Sequence, residues 1–130
     1  MKPDVLMVES DVAAFAIADR RLRDRFHLVW APTFEAARTA LGRFAFDAML
    51  TRADDDSCFG FITQVSMAHP ELPVIAVAPW EVQGDRACAC GAKEWVSSPV
   101  NYTRLRAVLD HSIERERPVP MSARLAVAPA

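Results

Sequence analysis

The sequence predicts an α/β protein with a five-stranded parallel sheet and helices on both faces of that sheet. Three observations lead to this prediction. Short apolar runs alternate five times with stretches whose apolar residues recur at helical spacing. The runs are apolar at nearly every position, as expected of strands covered on both faces. The connections between runs and helical stretches are short, which suits crossovers within one sheet.

The strands are the clearest elements. Val5 to Val8 is rich in β-branched residues and apolar throughout, and the run "PVIAVA" at 73–78 is the most convincing of the five. The predicted strands cover residues 5–8, 27–30, 48–51, 73–78 and 95–96. Each is short enough to be a strand rather than a buried helix.

Helix starts are indicated by oxygen-bearing side chains that can cap a first turn. Asp11, Thr33 and Asn101 each precede a helical repeat. The third helix is predicted over 60–68, ending before a His-Pro pair, and the fourth is a short helix over about 85–90. The predicted apolar faces comprise Phe15, Ala18 and Leu22; Phe34, Ala37 and Leu41; Phe61, Ile62 and Val65; and Leu105, Val108, Leu109 and Ile113.

Five strand–helix units in residues 1–117 suit a flavodoxin-like doubly wound sheet of order 2-1-3-4-5. Ligands and chemistry in that architecture lie at the carboxyl ends of the strands, near the switch point between strands 1 and 3. Residues 118–130 are rich in proline and alanine, and we predict a flexible tail or linker there.

Composition narrows the possible functions. A chain of 130 residues with 52% apolar residues and a net charge of −2 is typical of one soluble domain. No apolar run approaches the ~20 residues that cross a bilayer, and the amino terminus lacks a signal-peptide pattern, so we predict a cytoplasmic protein without membrane contact. The arginines at 20, 21, 23 and 25 are interleaved with acids and indicate a solvated helix end rather than a nucleic-acid site. The three cysteines and three histidines lack disulfide or zinc spacing.

One segment raises a chemical question. In "DAMLTRADDDSCFG", residues 47–60, a buried strand ends at Thr51 and Arg52, and three aspartates follow at 54–56. Acids at the end of a buried strand often hold a metal or serve phosphate chemistry. A register slip that moved Asp54 to the strand end would disturb the apolar set of the strand. We therefore interpret the aspartates as a solvated loop with helix-capping acids.

The order of these segments resembles a bacterial response-regulator receiver domain over about residues 4–116. The resemblance rests on four quoted segments: "VLMVESD", "FDAMLTRADDDSCFG" with its glycine at 60, "LPVIAVA" and "GAKEWVSSPV". It implies a two-component signalling module in which an aspartate at the end of the third strand accepts a phosphoryl group beside Mg²⁺.

The residues that the family uses do not carry over. The acidic pair falls on Glu9 and Ser10, the phosphoacceptor on Arg52, the Thr/Ser position on Ala78 and the lysine on Ser98, whereas the switch aromatic is retained as Trp95. A guanidinium offers no nucleophilic lone pair and repels a metal ion. The resemblance therefore implies a degenerate pocket with no catalytic residue, no metal and no cofactor. We predict that Arg52 is neutralised by Glu9, with help from Asp11 or Asp54.

These observations favour a pseudo-receiver, a phosphorylation-independent signalling module that docks a protein partner or dimerises through the face of helix 4, strand 5 and helix 5. Trp80, Trp95 and Tyr102 are candidate aromatic anchors on that face. The sequence leaves open whether Trp95 lies inward or packs half exposed on the last helix. The alternative is a regulatory dimerisation domain of a larger DNA-binding response regulator, in which this domain itself does not bind nucleic acid. An enzyme or small-ligand binder lacks support, because no phosphate loop or nucleophile–base pair is present.

Overall fold

The computed structural model describes residues 1–116, so the predicted tail at 118–130 lies outside the described residues. Five strands alternate with five helices along this part of the chain. The elements are β1 (Asp4–Val8), α1 (Val12–Leu22), β2 (His27–Ala31), α2 (Phe34–Arg43), β3 (Ala48–Arg52), α3 (Asp56–Ala68), β4 (Val74–Ala78), α4 (Glu81–Ala89), β5 (Glu94–Ser97) and α5 (Tyr102–Glu116).

All five strands are parallel and lie in the order β2-β1-β3-β4-β5. The predicted fold class and strand order are both confirmed. In β1, Val8 lies opposite Ala31 of β2 and Thr51 of β3, so the carboxyl ends of these strands meet at one edge. The chain adds β2 on one side of β1 and then β3 on the other side. The strand order therefore reverses between β1 and β3, and this edge is the switch point of the sheet.

The core has two layers because alternate strand residues point to opposite faces of the sheet. Val5, Leu50 and Val96 pack against α1 and α5, whereas Leu6 and Met49 pack on the other face with residues of α2, α3 and α4. The predicted apolar face of α5 is confirmed, with Leu105, Leu109 and Ile113 buried. No helix within residues 1–116 is long and apolar enough to cross a membrane.

Three predicted caps are confirmed, and two helix starts are corrected. The side chains of Asp11, Thr33 and Asn101 accept backbone N–H bonds at the starts of α1, α2 and α5. Helix α3 begins at Asp56 rather than at residue 60, because Asp55 caps it and Asp56 lies in its first turn. Helix α4 begins at Glu81 rather than near 85, and with nine residues it is the shortest described helix, as predicted.

Candidate functional site

The carboxyl ends of β1 and β3 bring three of the predicted site residues to one cleft. Glu9, Ser10 and Arg52 line a cleft of about 190 Å³, whose other walls include residues that connect β2 to α2. The remaining two positions lie together further along the same sheet edge, since the backbone N–H of Ser98 donates to the carbonyl of Ala78 at 3.0 Å. The Ser98–Pro99 peptide bond is cis.

Arg52 and Glu9 do not form the predicted ion pair. The Nη1 atom of Arg52 lies 3.8 Å from Oδ2 of Asp54, and the two side chains are 42% and 40% exposed. The Oε1 atom of Glu9 instead accepts the backbone N–H of Asp11 at 3.0 Å. The prediction is wrong for Glu9 because its carboxylate folds back onto the turn that leads into α1. Of the two auxiliary partners proposed, Asp54 is correct.

The three aspartates have different sets of partners at the start of α3. Asp54 accepts a hydrogen bond from Sγ of Cys58 at 3.3 Å, and Asp56 pairs with Arg86 at 3.1 Å. Asp55 caps the helix, and hydrogen bonds from the Ser57 hydroxyl and the Cys58 backbone N–H lower its pKa to about 2. The interpretation of these acids as caps is confirmed for Asp55.

The residues at this edge do not fit a magnesium ion. Oxygen and sulfur atoms of Asp54, Asp55 and Cys58 lie within 4.8 Å of one another. Burial raises the pKa of the Cys58 thiol to about 11, and sulfur is a poor ligand for Mg²⁺, which prefers oxygen. Asp54 is shared with the cation of Arg52, and Ser10 is exposed and uncharged. Mg²⁺ favours several oxygen ligands in a regular octahedron, which this set does not provide.

The other end of the sheet edge is closely packed. Ala78 is fully buried and has no hydroxyl with which to reach the cleft. Trp95 is partly buried and packs into the core on the side of α4. Its ring lies directly over Gly84, where an added Cβ would come within 2.1 Å of the indole Cδ2. Trp95 therefore lies inward against α4 rather than on the last helix.

Trp80, Trp95 and Tyr102, the candidate aromatic anchors, do not pack together in one layer of the described residues. Trp95 packs into the layer that holds α4, whereas Tyr102 packs into the opposite layer, with Arg21 over its ring at 6.0 Å. The split follows from the pleat of β5, because Trp95 and its neighbour Val96 point to opposite faces. Trp80 is 68% exposed and is accompanied on α4 by Val82, which is 70% exposed.

Sequence reasoning missed two residues that shape this region. Gly84 leaves the space that the Trp95 ring fills, and a glycine within a helix is the signal that indicates such a close approach. Arg86 pairs with Asp56 and lies over the ring of Phe59 at 4.4 Å, joining α4 to α3. No short-range pattern in the sequence connects Arg86 to residues 27 and 30 positions earlier.

Comparison with known proteins agrees with this architecture. No protein-family model matches the sequence, and no curated protein matches it significantly. Among solved structures, the receiver domain of the Francisella response regulator 1452 superposes with a TM-score of 0.81 at 12% identity, over 89% of this chain and all of that one. The chain has the fold of response-regulator receiver domains.

Two further structures support the same fold. The signal receiver domain of an HD domain-containing protein from Pseudomonas fluorescens Pf-5 gives a TM-score of 0.80 at 17% identity, over 89% of this chain and 98% of that one. NtrX from Brucella abortus gives 0.78 at 22% identity, and the match covers 89% of this chain but 27% of the NtrX chain. In the NtrX structure the matched fold is one part of a longer chain.

Proposed function

We propose that this chain is a pseudo-receiver, an interaction module of a two-component-type pathway that works without phosphorylation and without catalysis. One observation carries the proposal. At the end of β3, where receivers present an aspartate, the side chain is the guanidinium of Arg52, and its carboxylate partner, Asp54, lies 3.8 Å away. A guanidinium stays protonated and cannot form an acyl phosphate.

The surrounding residues support the same proposal. Ser98 replaces the lysine and Ala78 replaces the hydroxyl that hold phosphoryl oxygens in receivers. The ring of Trp95, the switch-aromatic position, is packed against Gly84 of α4, and this contact supports a single fixed position for the ring. A domain in this state would present one fixed surface to its partner.

Phosphorylation chemistry supplies the first test. The full chain is incubated with Mg²⁺ and acetyl phosphate or beryllofluoride, and we expect no change in intact mass or in tryptophan fluorescence. The Arg52→Asp variant should also remain unmodified, because Ser98 and Ala78 are unchanged. As a positive control, the combined variant Ser10→Asp, Arg52→Asp, Ala78→Thr and Ser98→Lys restores all four positions. A stoichiometric aspartyl phosphate on the unmodified sequence, at Asp54 for example, would contradict the proposal.

The partner is a protein of the signalling pathway, bound on the face formed by α4, β5 and α5. Trp80 and Val82 supply exposed apolar area there, and large aromatic residues are favoured anchors at interfaces. A second copy of the chain is the alternative occupant of this face. In affinity capture from the native cell, Trp80→Ala should lose the partner, and Met67→Ala, which changes an exposed residue of α3, should retain it. Equal capture by both variants would exclude Trp80 as an anchor.

A second candidate function is that of a regulatory domain in a larger DNA-binding response regulator. The partial match to NtrX favours it, because the receiver fold there forms 27% of a longer chain. A reading frame that continues beyond residue 130 into a DNA-binding domain would support this alternative. The phosphorylation test gives the same expectation for both candidates, whereas sequencing of the gene separates them.

A further inference from the structure

An open groove lies beside the second half of α5, near the amino edge of the sheet. Its volume is about 740 Å³, against about 190 Å³ for the cleft beside Arg52. The lining includes Met1 and Pro3, which precede β1, and the residues of α5 at positions 107, 111 and 114. These three positions recur at helical spacing and form one stripe of the helix. The groove is therefore separate from the candidate site at the carboxyl edge.

The groove combines apolar surface with an unpaired acid. Met1 and Ala107 are exposed and supply apolar area. Asp110 in the lining pairs with Arg25, so these two charges neutralise each other. Glu114 is exposed and makes no ion pair within 4 Å among the described residues. A peptide segment that suits this groove should carry apolar side chains and a cation for Glu114.

The segment that follows α5 has this composition. Residues 117–130 contain two arginines and no acid, and Met121 and Leu125 are their largest apolar side chains. Helix α5 ends at Glu116, less than one turn beyond Glu114. Two prolines follow within four residues of this point and disfavour a longer helix. The chain therefore continues from a position at one end of the groove.

From these features we propose that residues 118–125 fold back along α5 and occupy the groove. The stripe of α5 from position 107 to position 114 spans roughly 10 Å. Eight extended residues reach about 26 Å, so the segment is long enough to turn and run along the whole stripe. Arg124 supplies the cation for Glu114, and Met121 and Leu125 supply apolar side chains.

Attachment to α5 favours this segment over a separate partner as the occupant. A short connection gives a tethered ligand an effective concentration in the millimolar range, so modest contacts are enough to hold it. An exposed ion pair contributes about 0.2–1 kcal/mol, and the segment should therefore exchange between docked and undocked states. The inference does not rest on the proposed function, because it involves neither Arg52 nor Trp80.

Trypsin cleavage after Arg124 tests the proposal in the full chain. Arg117 is followed by proline, which blocks trypsin, so release of residues 125–130 reports on Arg124 alone and is followed by intact mass. A docked segment is cut in proportion to its undocked population. We expect cleavage slower by about fivefold or more than in a synthetic peptide of residues 117–130. Equal rates would overturn the proposal. Protection that disappears on dilution would also overturn it, by placing the segment on another copy of the chain.

Variants show whether the protection comes from this groove. Glu114→Gln removes the unpaired charge and should speed cleavage by about two- to fivefold. Met121→Ser should also speed it, relative to a peptide with the same change. Glu71→Gln and Met67→Ser make the matched changes at an exposed acid and an exposed methionine outside the groove, and they should leave the rate unchanged. Circular dichroism should show every variant folded. The same rate for Glu114→Gln and Glu71→Gln would show that the segment does not bind here.

Discussion

The two ends of the carboxyl edge of the sheet differ in how their side chains are held. Around β1 and β3, Arg52 and Asp54 are each about two-fifths exposed and form a loose ion pair. Around β4 and β5, Ala78 and Gly84 are buried, and the Trp95 ring occupies the space above the glycine. The first region is open and charged, and the second is closed and apolar.

The difference separates two ways in which substitutions can alter a receiver fold. In the open region a substitution can change the charge of the cleft at little cost in stability, since an exposed ion pair contributes little to stability. In the closed region the shape of one residue fixes another, because interiors are packed without spare volume. Substitutions that disturb the packing of the closed region should therefore lower stability more than loss of the Arg52–Asp54 ion pair does.

The largest effect is expected at Gly84. An alanine there would place its Cβ between 2.1 and 2.5 Å from three atoms of the Trp95 indole, so the ring or the helix must move. Overpacking of this kind costs about 1–3 kcal/mol. Urea unfolding followed by circular dichroism should show Gly84→Ala less stable by that amount, with a shifted tryptophan emission. Unchanged stability and emission would contradict the close packing of the Trp95 ring against Gly84.

The next effect concerns Cys58, which is buried at the border of the open region. Its pKa near 11 lies two units above the ordinary 9.0, so its thiolate fraction near pH 8 is lower by about a hundredfold. Alkylation of native protein with iodoacetamide, mapped by mass spectrometry, should modify Cys58 at least that much more slowly than the same thiol in the urea-unfolded chain. The rate in native protein should keep rising with pH toward 11. Equal rates in folded and unfolded protein would contradict its burial.

Much of the fold follows from local patterns in the sequence. The runs at 5–8 and 73–78 become buried strands because their residues suit a sheet covered on both faces, and Asp11 and Asn101 cap helices through bonds to residues two or three positions away. Such short-range chemistry is readable from the order of residues alone. The predicted start of α3 is four residues late because the helical repeat of apolar residues becomes clear only after residue 60, although the capping role predicted for these aspartates is correct for Asp55.

The site was predictable in position but not in detail. Alignment to the receiver pattern correctly brings Glu9, Ser10 and Arg52 to one cleft. The sequence does not identify the partner of Arg52, because Glu9, Asp11 and Asp54 are all candidate carboxylates near the ends of β1 and β3. Which of them pairs with Arg52 depends on the Glu9 side chain, which folds back to accept the Asp11 N–H. Trp95 and Tyr102 lie in different layers because of the way in which the side chains of β5 alternate between the two faces of the sheet. This strand has four residues, which are too few for the sequence to show which of them point to each face.

A smaller effect, of opposite sign to that at Gly84, is expected at Gly60. This glycine lies within α3 near the open region, is exposed, and an added Cβ would meet nothing within 4 Å. Because alanine is favoured over glycine in a helix, Gly60→Ala should stabilise the protein by about 0.5–1 kcal/mol in the same urea experiment. Destabilisation would indicate a close neighbour at Gly60 and would remove the contrast between the two regions.

The smallest effect is expected at Arg52. A pair with an N–O distance of 3.8 Å and two partly exposed side chains contributes little after solvent screening, so Arg52→Ala should change the free energy of unfolding by less than about 0.5 kcal/mol. Arg86→Ala is the matched control, since Arg86 has a shorter ion pair and also lies over the Phe59 ring. It should cost more, on the order of 1 kcal/mol. If Arg52→Ala proves the more destabilising of the two, Arg52 supports the packing around β3, and the cleft is not the open region that its exposure indicates.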